Sequence, residues 1–203
     1  MDRKDHWESI YTNKSTQAVS WYQSEATLSL ELIAHAGLKQ NDAIIDVGGG
    51  ASVLVDHLLH HGYTNITVLD ISSRAIQHVQ ERLADKSTQV HWVSTDVTEF
   101  DAPQQYRLWH DRAVFHFLTD KDEQQKYVEI LKNSTHPEAQ VIIAAFAIGG
   151  PEKCSGLNIV QYDAAKLSKV LGDTFKLLEE RTEQHITPSG QIQQFGYYRF
   201  SKA

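Results

Sequence analysis

The chain has 203 residues, 41% of them hydrophobic and 22% charged, and a formal net charge of −7. That length fits one α/β domain with a sizeable core, and the negative balance argues against a nucleic-acid partner, which asks for a basic surface. One cysteine, Cys154, rules out an intrachain disulfide framework. The polar start Met1-Asp2-Arg3-Lys4-Asp5 does not read as a secretory signal, and the longest apolar run, Val141 to Ile148, is too short to span a bilayer. A cytoplasmic protein that does not enter a membrane is expected.

Residues 1–23 are polar, with aromatic punctuation at Trp7, Tyr11, Trp21 and Tyr22. Asp5 to Tyr11 suggests a short helix and Lys14 to Ala18 a mobile connector. A helical stretch follows from Ser24 to Ala36, with Leu28, Leu32 and Ile33 on one face and a stop near Gly37.

Ala43-Ile44-Ile45-Asp46-Val47-Gly48-Gly49-Gly50-Ala51-Ser52 is a buried strand running into a tight glycine turn, and a helix pattern runs to His61 before Gly62. Glycines there let a ligand approach backbone N–H groups at the helix start. Such a turn suits a nucleotide-like cofactor. The dinucleotide pattern Gly-x-Gly-x-x-Gly is only two-thirds met, because Val53 stands at the third position. Asp46 would set an anion beside a pyrophosphate. It suits the positively charged methionine end of S-adenosylmethionine (SAM) better.

Asn65 to Ser72 is a second strand ending at Asp70, placed for a ribose, and Val90 to Val97 a third ending at Asp96. Asp96 is placed to receive an adenine amine, with Val97 against the ring. Each aspartate alone is equally explained as a helix cap or turn former. Three of them at the ends of successive strands mark a ligand edge. Ser72 caps a helix over Ser73 to Ala84. His57, His60 and His61 lie on one helix, but no carboxylate or cysteine motif accompanies them, so no metal is expected.

Tyr106 to Leu118 is the fourth strand and the loop beyond it. His110 and Asp111 are candidates for an acid–base pair, and His116 for the same work from the next turn. The plainer readings are an Asp111–Arg112 ion pair and a buried His116. A helix is predicted over Lys121 to Asn133 and an apolar strand over Gln140 to Ala147. The long polar loop Gly149 to Leu157, with Cys154, is placed to shape a substrate pocket. Ala164 to Leu171 is helical. Phe175 to Ile186 and Ile192 to Phe200 alternate as an antiparallel hairpin around Thr187-Pro188-Ser189-Gly190.

On these features the sequence resembles the class I SAM-dependent methyltransferases. Its first hundred residues are similar to the eukaryotic elongation-factor lysine methyltransferases, through Trp7 and Tyr11, Trp21-Tyr22, the Gly-x-Gly-x-Ser turn with Leu54, and Gly62-Tyr63 leading to Asp70-Ile71-Ser72. Those enzymes usually carry Asp-Lys-Gly after the fourth strand, where this chain has His110-Asp111-Arg112-Ala113. The resemblance implies a Rossmann-like α/β fold with seven strands ordered 3-2-1-4-5-7-6, in the single domain over 1–203 that the length predicts, and the aromatic residues of 1–23 suggest a lid across the cofactor pocket.

It also implies a cofactor site of Trp21, Asp46, Gly48, Gly49, Gly50, Ser52, Asp70, Ile71, Ser72, Asp96, Val97 and His110. His110, Asp111 and His116 are the candidate catalytic groups, and Tyr11, Tyr22, Arg112 and Cys154 the candidate acceptor contacts. With no added domain or basic surface, a small-molecule acceptor is expected. A protein lysine is the alternative; a SAM-binding partner subunit without turnover and an NAD-dependent dehydrogenase are the others.

Overall fold

The computed structural model describes residues 2–203. Strands β1 (Ile44–Val47), β2 (Ile66–Asp70), β3 (Val90–Ser94), β4 (Tyr106–Arg112) and β5 (Thr135–Phe146) are parallel. Strands β6 (Lys153–Cys154) and β7 (Leu157–Asn158) form a separate small hairpin, and β8 (Phe175–Ile186) and β9 (Ile192–Lys202) complete the main sheet in the order β3-β2-β1-β4-β5-β9-β8. Counted without the small hairpin, this is the expected 3-2-1-4-5-7-6. β9 lies between β5 and β8 and runs antiparallel to both.

Helices α1 (Arg3–Asn13), α2 (Thr27–His35), α3 (Leu54–His60), α4 (Ser73–Leu83), α5 (Lys121–Asn133) and α6 (Ala164–Leu171) complete the chain. Side chains alternate across a strand with period two, and this alternation builds two cores. Ile44, Val68, Leu108, Ile142 and Tyr197 face one way, packed with Leu32, Ile33, Leu54 and Val79 of α2, α3 and α4. Ile45, Trp109, Val141, Ile143 and Tyr198 face the other, packed with Tyr127 and Leu131 of α5 and Leu167 of α6. Asp46 and His110 share parity with the first set, Asp111 with the second.

Three boundaries depart from expectation. Helix α1 runs a turn longer than Asp5–Tyr11, because Glu8 is fixed against α4 and Arg3 against the end of β3. Strand β5 begins at Thr135 rather than Gln140. Tyr106 pairs with Thr135 and Leu108 with Gln140, so Pro137 and Glu138 (φ 62°) are taken up in a bulge. The loop after β5 contains the β6–β7 hairpin. Its two linking residues, Ser155 and Gly156, both have positive φ (52° and 83°), as a tight two-residue hairpin requires.

Candidate functional site

The C-terminal ends of β1, β2, β3 and β4 open onto two adjoining cavities, which share Trp21, Val47, Gly48 and Arg112 in their walls. The larger, about 700 Å³ of space with its open mouth included, runs along Asp70, Ile71, Asp96 and Val97. The smaller reaches Asp46, His110, Ser29, Gln23 and Ser52.

Asp46 is buried and neighbours His110 in register across β1 and β4. The Nδ1 of His110 lies 2.7 Å from Oδ1 of Asp46, and its Nε2 lies 2.9 Å from the Ser29 hydroxyl on α2. The second carboxylate oxygen, Oδ2, is buried and has no partner among the described residues. A buried acceptor left unpaired is costly, so this atom is suited to a donor on a bound ligand. Gly49 is what lets it sit there, since a Cβ on that residue would stand 2.3 Å from Oδ2.

Asp70 ends β2 with both oxygens held by backbone. Oδ2 accepts from Gly50 N–H (3.0 Å) and Oδ1 from Ser72 N–H (2.8 Å). Burial pushes its carboxyl up to about 6, against the pull of these two donors. Asp96 lines the same cavity. Its Oδ1 accepts from the Thr98 N–H and hydroxyl (2.8 Å each), and its Oδ2 from Arg3 (3.0 Å).

The N-terminal segment crosses the larger cavity. Glu8 accepts hydrogen bonds from the Ser72 hydroxyl, the Ser73 N–H and hydroxyl, and the Arg74 N–H, which caps α4 from outside its own sequence. Arg3 is paired with Asp96 and with Glu123 of α5. Trp7 packs edge-on against Trp21 and Phe117, with ring centroids 5.5 and 5.1 Å apart, and Tyr11 packs against Trp21 at 6.2 Å. Trp7, Tyr11, Trp21 and Phe117 line the cavity together with Cys154, whose thiol burial pushes up to about 11.

Several sequence-derived roles do not survive this geometry. His110 and Asp111 do not pair, because consecutive strand residues face opposite sides. Asp111 points into the α5 core, where Tyr127 donates to Oδ2 (2.7 Å) and the Val114 and Phe115 N–H groups complete its bonding. Burial pushes its carboxyl up to about 6. His116 is fully buried outside both cavities. Its Nδ1 accepts from Phe146 N–H at 3.4 Å, and burial, then the nearby Arg112 charge, push its pKa down to about 3. Neither residue is placed to exchange a proton with an acceptor.

Ser72 is enclosed as the N-cap of α4, its hydroxyl bonded to Ala75 N–H and Glu8. Gly49 and Gly50 stand behind the wall: a Cβ on either would meet the Asp46 or Asp70 carboxylate. Tyr22 packs beside Tyr11 without reaching either cavity.

Arg3, Trp7, Gln23, Ser29 and Phe117 reach the cavities without having been singled out as site residues. Ser29 carried a signal: it is a hydroxyl on the Leu32–Ile33 face of a helix, a place where a polar group needs a partner. His57 and His60 lie on α3 and His61 just after it, with His61 Nδ1 2.7 Å from the His57 carbonyl. Among the described residues no cluster of three metal-ligating side chains occurs, and no helix is long and apolar enough to cross a membrane.

Comparison with known proteins places this geometry in context. A family model described as a methyltransferase domain matches residues 44–137. The chain is 28% identical over 121 residues to the eEF1A lysine and N-terminal methyltransferase of Bos taurus, covering 59% of this chain and 17% of that protein. The match thus spans less than a fifth of the relative's length. A solved structure described as the conversion of a disulfide bond into a thioacetal group during echinomycin biosynthesis superposes with a TM-score of 0.77 at 16% identity, covering 99% of this chain and 92% of the other. The Burkholderia thailandensis 1,6-didemethyltoxoflavin-N1-methyltransferase, solved with its namesake ligand and S-adenosylhomocysteine (SAH), superposes with a TM-score of 0.70 at 16% identity over 98% and 84% of the two chains. At that identity both are likenesses of fold.

Proposed function

The chain carries a class I SAM-dependent methyltransferase domain, and from that premise we propose that it transfers a methyl group to a small molecule bound beneath the N-terminal segment. The residues present fit the cofactor. The unpaired Oδ2 of Asp46 is an acceptor suited to its ammonium group. Asp70 offers carboxylate lone pairs at the larger cavity to ribose hydroxyls, and Ile71, Asp96 and Val97 line the same cavity, where the adenine would lie. SAM supplies a methyl group already activated by a sulfonium. The chain's own work is to bind, align and exclude water, and alignment of this kind is worth about 7–11 kcal/mol of barrier.

The observation that carries the small-molecule reading is the pinning of α1. Arg3 on one side and Glu8 on the other hold the aromatic residues Trp7 and Tyr11 across the strand ends. An acceptor bound there lies beneath α1, a placement that suits a small ligand better than the side chain of a large partner. The single cysteine goes with a cytoplasmic setting.

The second reading is a protein-lysine methyltransferase, favoured by the named activity of the 28%-identical relative. Incubation with methyl-labelled SAM and a cell extract, followed by separation by size, tests the two. Label in a small-molecule product chromatographically distinct from SAM supports the proposal. Label retained on protein transfers the function to the lysine reading, and label that stays entirely in SAM points to a SAM-binding partner subunit.

A further inference from the structure

The titratable groups around the two cavities are already committed. Asp96 is paired with Arg3, and Asp46 is paired through Oδ1 with His110, whose second nitrogen is bonded to Ser29, while the Oδ2 of Asp46 is the acceptor assigned above to the cofactor ammonium. Asp70 is bonded to two backbone N–H groups. The Cys154 thiol and the Tyr11 hydroxyl are both pushed up by burial, the thiol to about 11, so each keeps its proton at neutral pH. Among the described residues in the walls, none is left as a free general base. An amine with an ordinary lysine pKa is neutral in only about one molecule in 2,500 at pH 7, so such an acceptor needs a group to take its proton.

Arg112 is the exception on the cationic side. It stands in the wall shared by the two cavities. Its guanidinium is fixed by three contacts: Nε to the Tyr197 hydroxyl at 2.7 Å, Nη1 to the Trp21 carbonyl at 3.0 Å, and the group's face over Phe195 at 4.5 Å. Nη2 is ion-paired with Glu183, but at a long 3.5 Å. Glu183 is served independently by Tyr197 (2.9 Å) and Gln23 (2.9 Å). The guanidinium is held rigid with one N–H edge loosely engaged, which is the state suited to receiving an anion.

From this we infer that the acceptor is a pre-ionised anion, a carboxylate or thiolate on a largely apolar body, received by Arg112 among Trp7, Trp21 and Phe117. The inference rests on the methyltransferase reading. The acceptor anion contributes the electron pair of the new bond to the methyl carbon. The pair of the broken carbon–sulfur bond stays on sulfur, whose positive charge is thereby cancelled. No proton has to be placed, which is why a site without a free base suffices.

The test uses benzoate and benzylamine, which share a ring and differ in the sign of their charge. Each is titrated into the full chain saturated with SAH, with tryptophan fluorescence as the readout. Benzoate is expected to bind at least about tenfold tighter than benzylamine, and Arg112→Gln to weaken benzoate by about the same factor while SAH affinity changes little. Arg112→Lys retains the preference for benzoate, because the positive charge remains.

Benzoate binding no tighter than benzylamine in the wild-type chain, undetectable binding of both included, overturns the inference. So does an Arg112→Gln variant that loses SAH affinity while keeping benzoate affinity, because Arg112 would then serve the cofactor. Failure of the wild-type chain to bind SAH is a different result and removes the methyltransferase reading itself. If Arg112→Gln does not fold, the wild-type comparison of the two ring compounds still decides.

Discussion

Asp46 and Asp70 are both buried carboxylates, yet they differ in what is left to bind. Asp46 keeps an unpaired Oδ2, whereas each oxygen of Asp70 has a backbone donor and offers its remaining lone pairs to the cavity. Asp46→Asn should therefore lower SAH affinity by at least about tenfold, the scale of one lost charge-assisted hydrogen bond. Asp70→Ala should do the same, and unchanged affinity in calorimetry would refute the ribose assignment. The raised carboxyl of Asp70, about 6 against an ordinary 3.8, also sets a pH dependence. Between those values the folded chain holds the proton that the unfolded chain has released. Its contribution thus destabilises the unliganded protein as pH rises through this window, by about 3 kcal/mol when complete. Cofactor affinity moves the opposite way. SAH binding should weaken as pH falls below 6, and a flat affinity from pH 7.5 to 5 would contradict the role.

At the scale of elements, α1 is the part least legible in the sequence and most consequential for the site. Trp7, Ile10 and Tyr11 give it a short apolar face, but its extent and seat are set by the polar contacts of Glu8 with the start of α4 and of Arg3 with Asp96 and Glu123. Contacts between residues 64 or more positions apart leave no local pattern to read. Glu8→Ala should free α1, raising hydrogen exchange across residues 3–13 and weakening SAH binding several-fold while the sheet stays protected. Strand β4 shows the converse. Its apolar run marked it clearly, but the roles of His110 and Asp111 depend on which face each takes. That follows from period-two alternation once Leu108 and Trp109 are assigned to opposite cores. Asp111 is then a buried link between β4 and α5. Tyr127→Phe strips a donor from Asp111 and a partner from Trp109 N–H, and should cost about 1–3 kcal/mol of stability in denaturant unfolding.

For the whole molecule, the apolar strands, the glycine turn and the terminal hairpin were legible because each has a strong local pattern, whereas the strand order was expected from the family resemblance those features carry. The acidic ends of β1, β2 and β3 were legible for the same reason, and the structure brings Asp46, Asp70 and Asp96 to adjoining cavities. The cavities' far wall was legible only in part. Arg112, Trp21 and Cys154 come from separate segments and meet through the tertiary fold, with Phe117 completing the enclosure. The most direct measurement is a calorimetric titration of the chain with SAH and, in parallel, with NAD. Binding of SAH at micromolar concentrations or below, with none of NAD, is the predicted result. Binding of NAD alone, or of neither, would contradict the account, since the roles of Asp46, Asp70 and Asp96 all presuppose SAM.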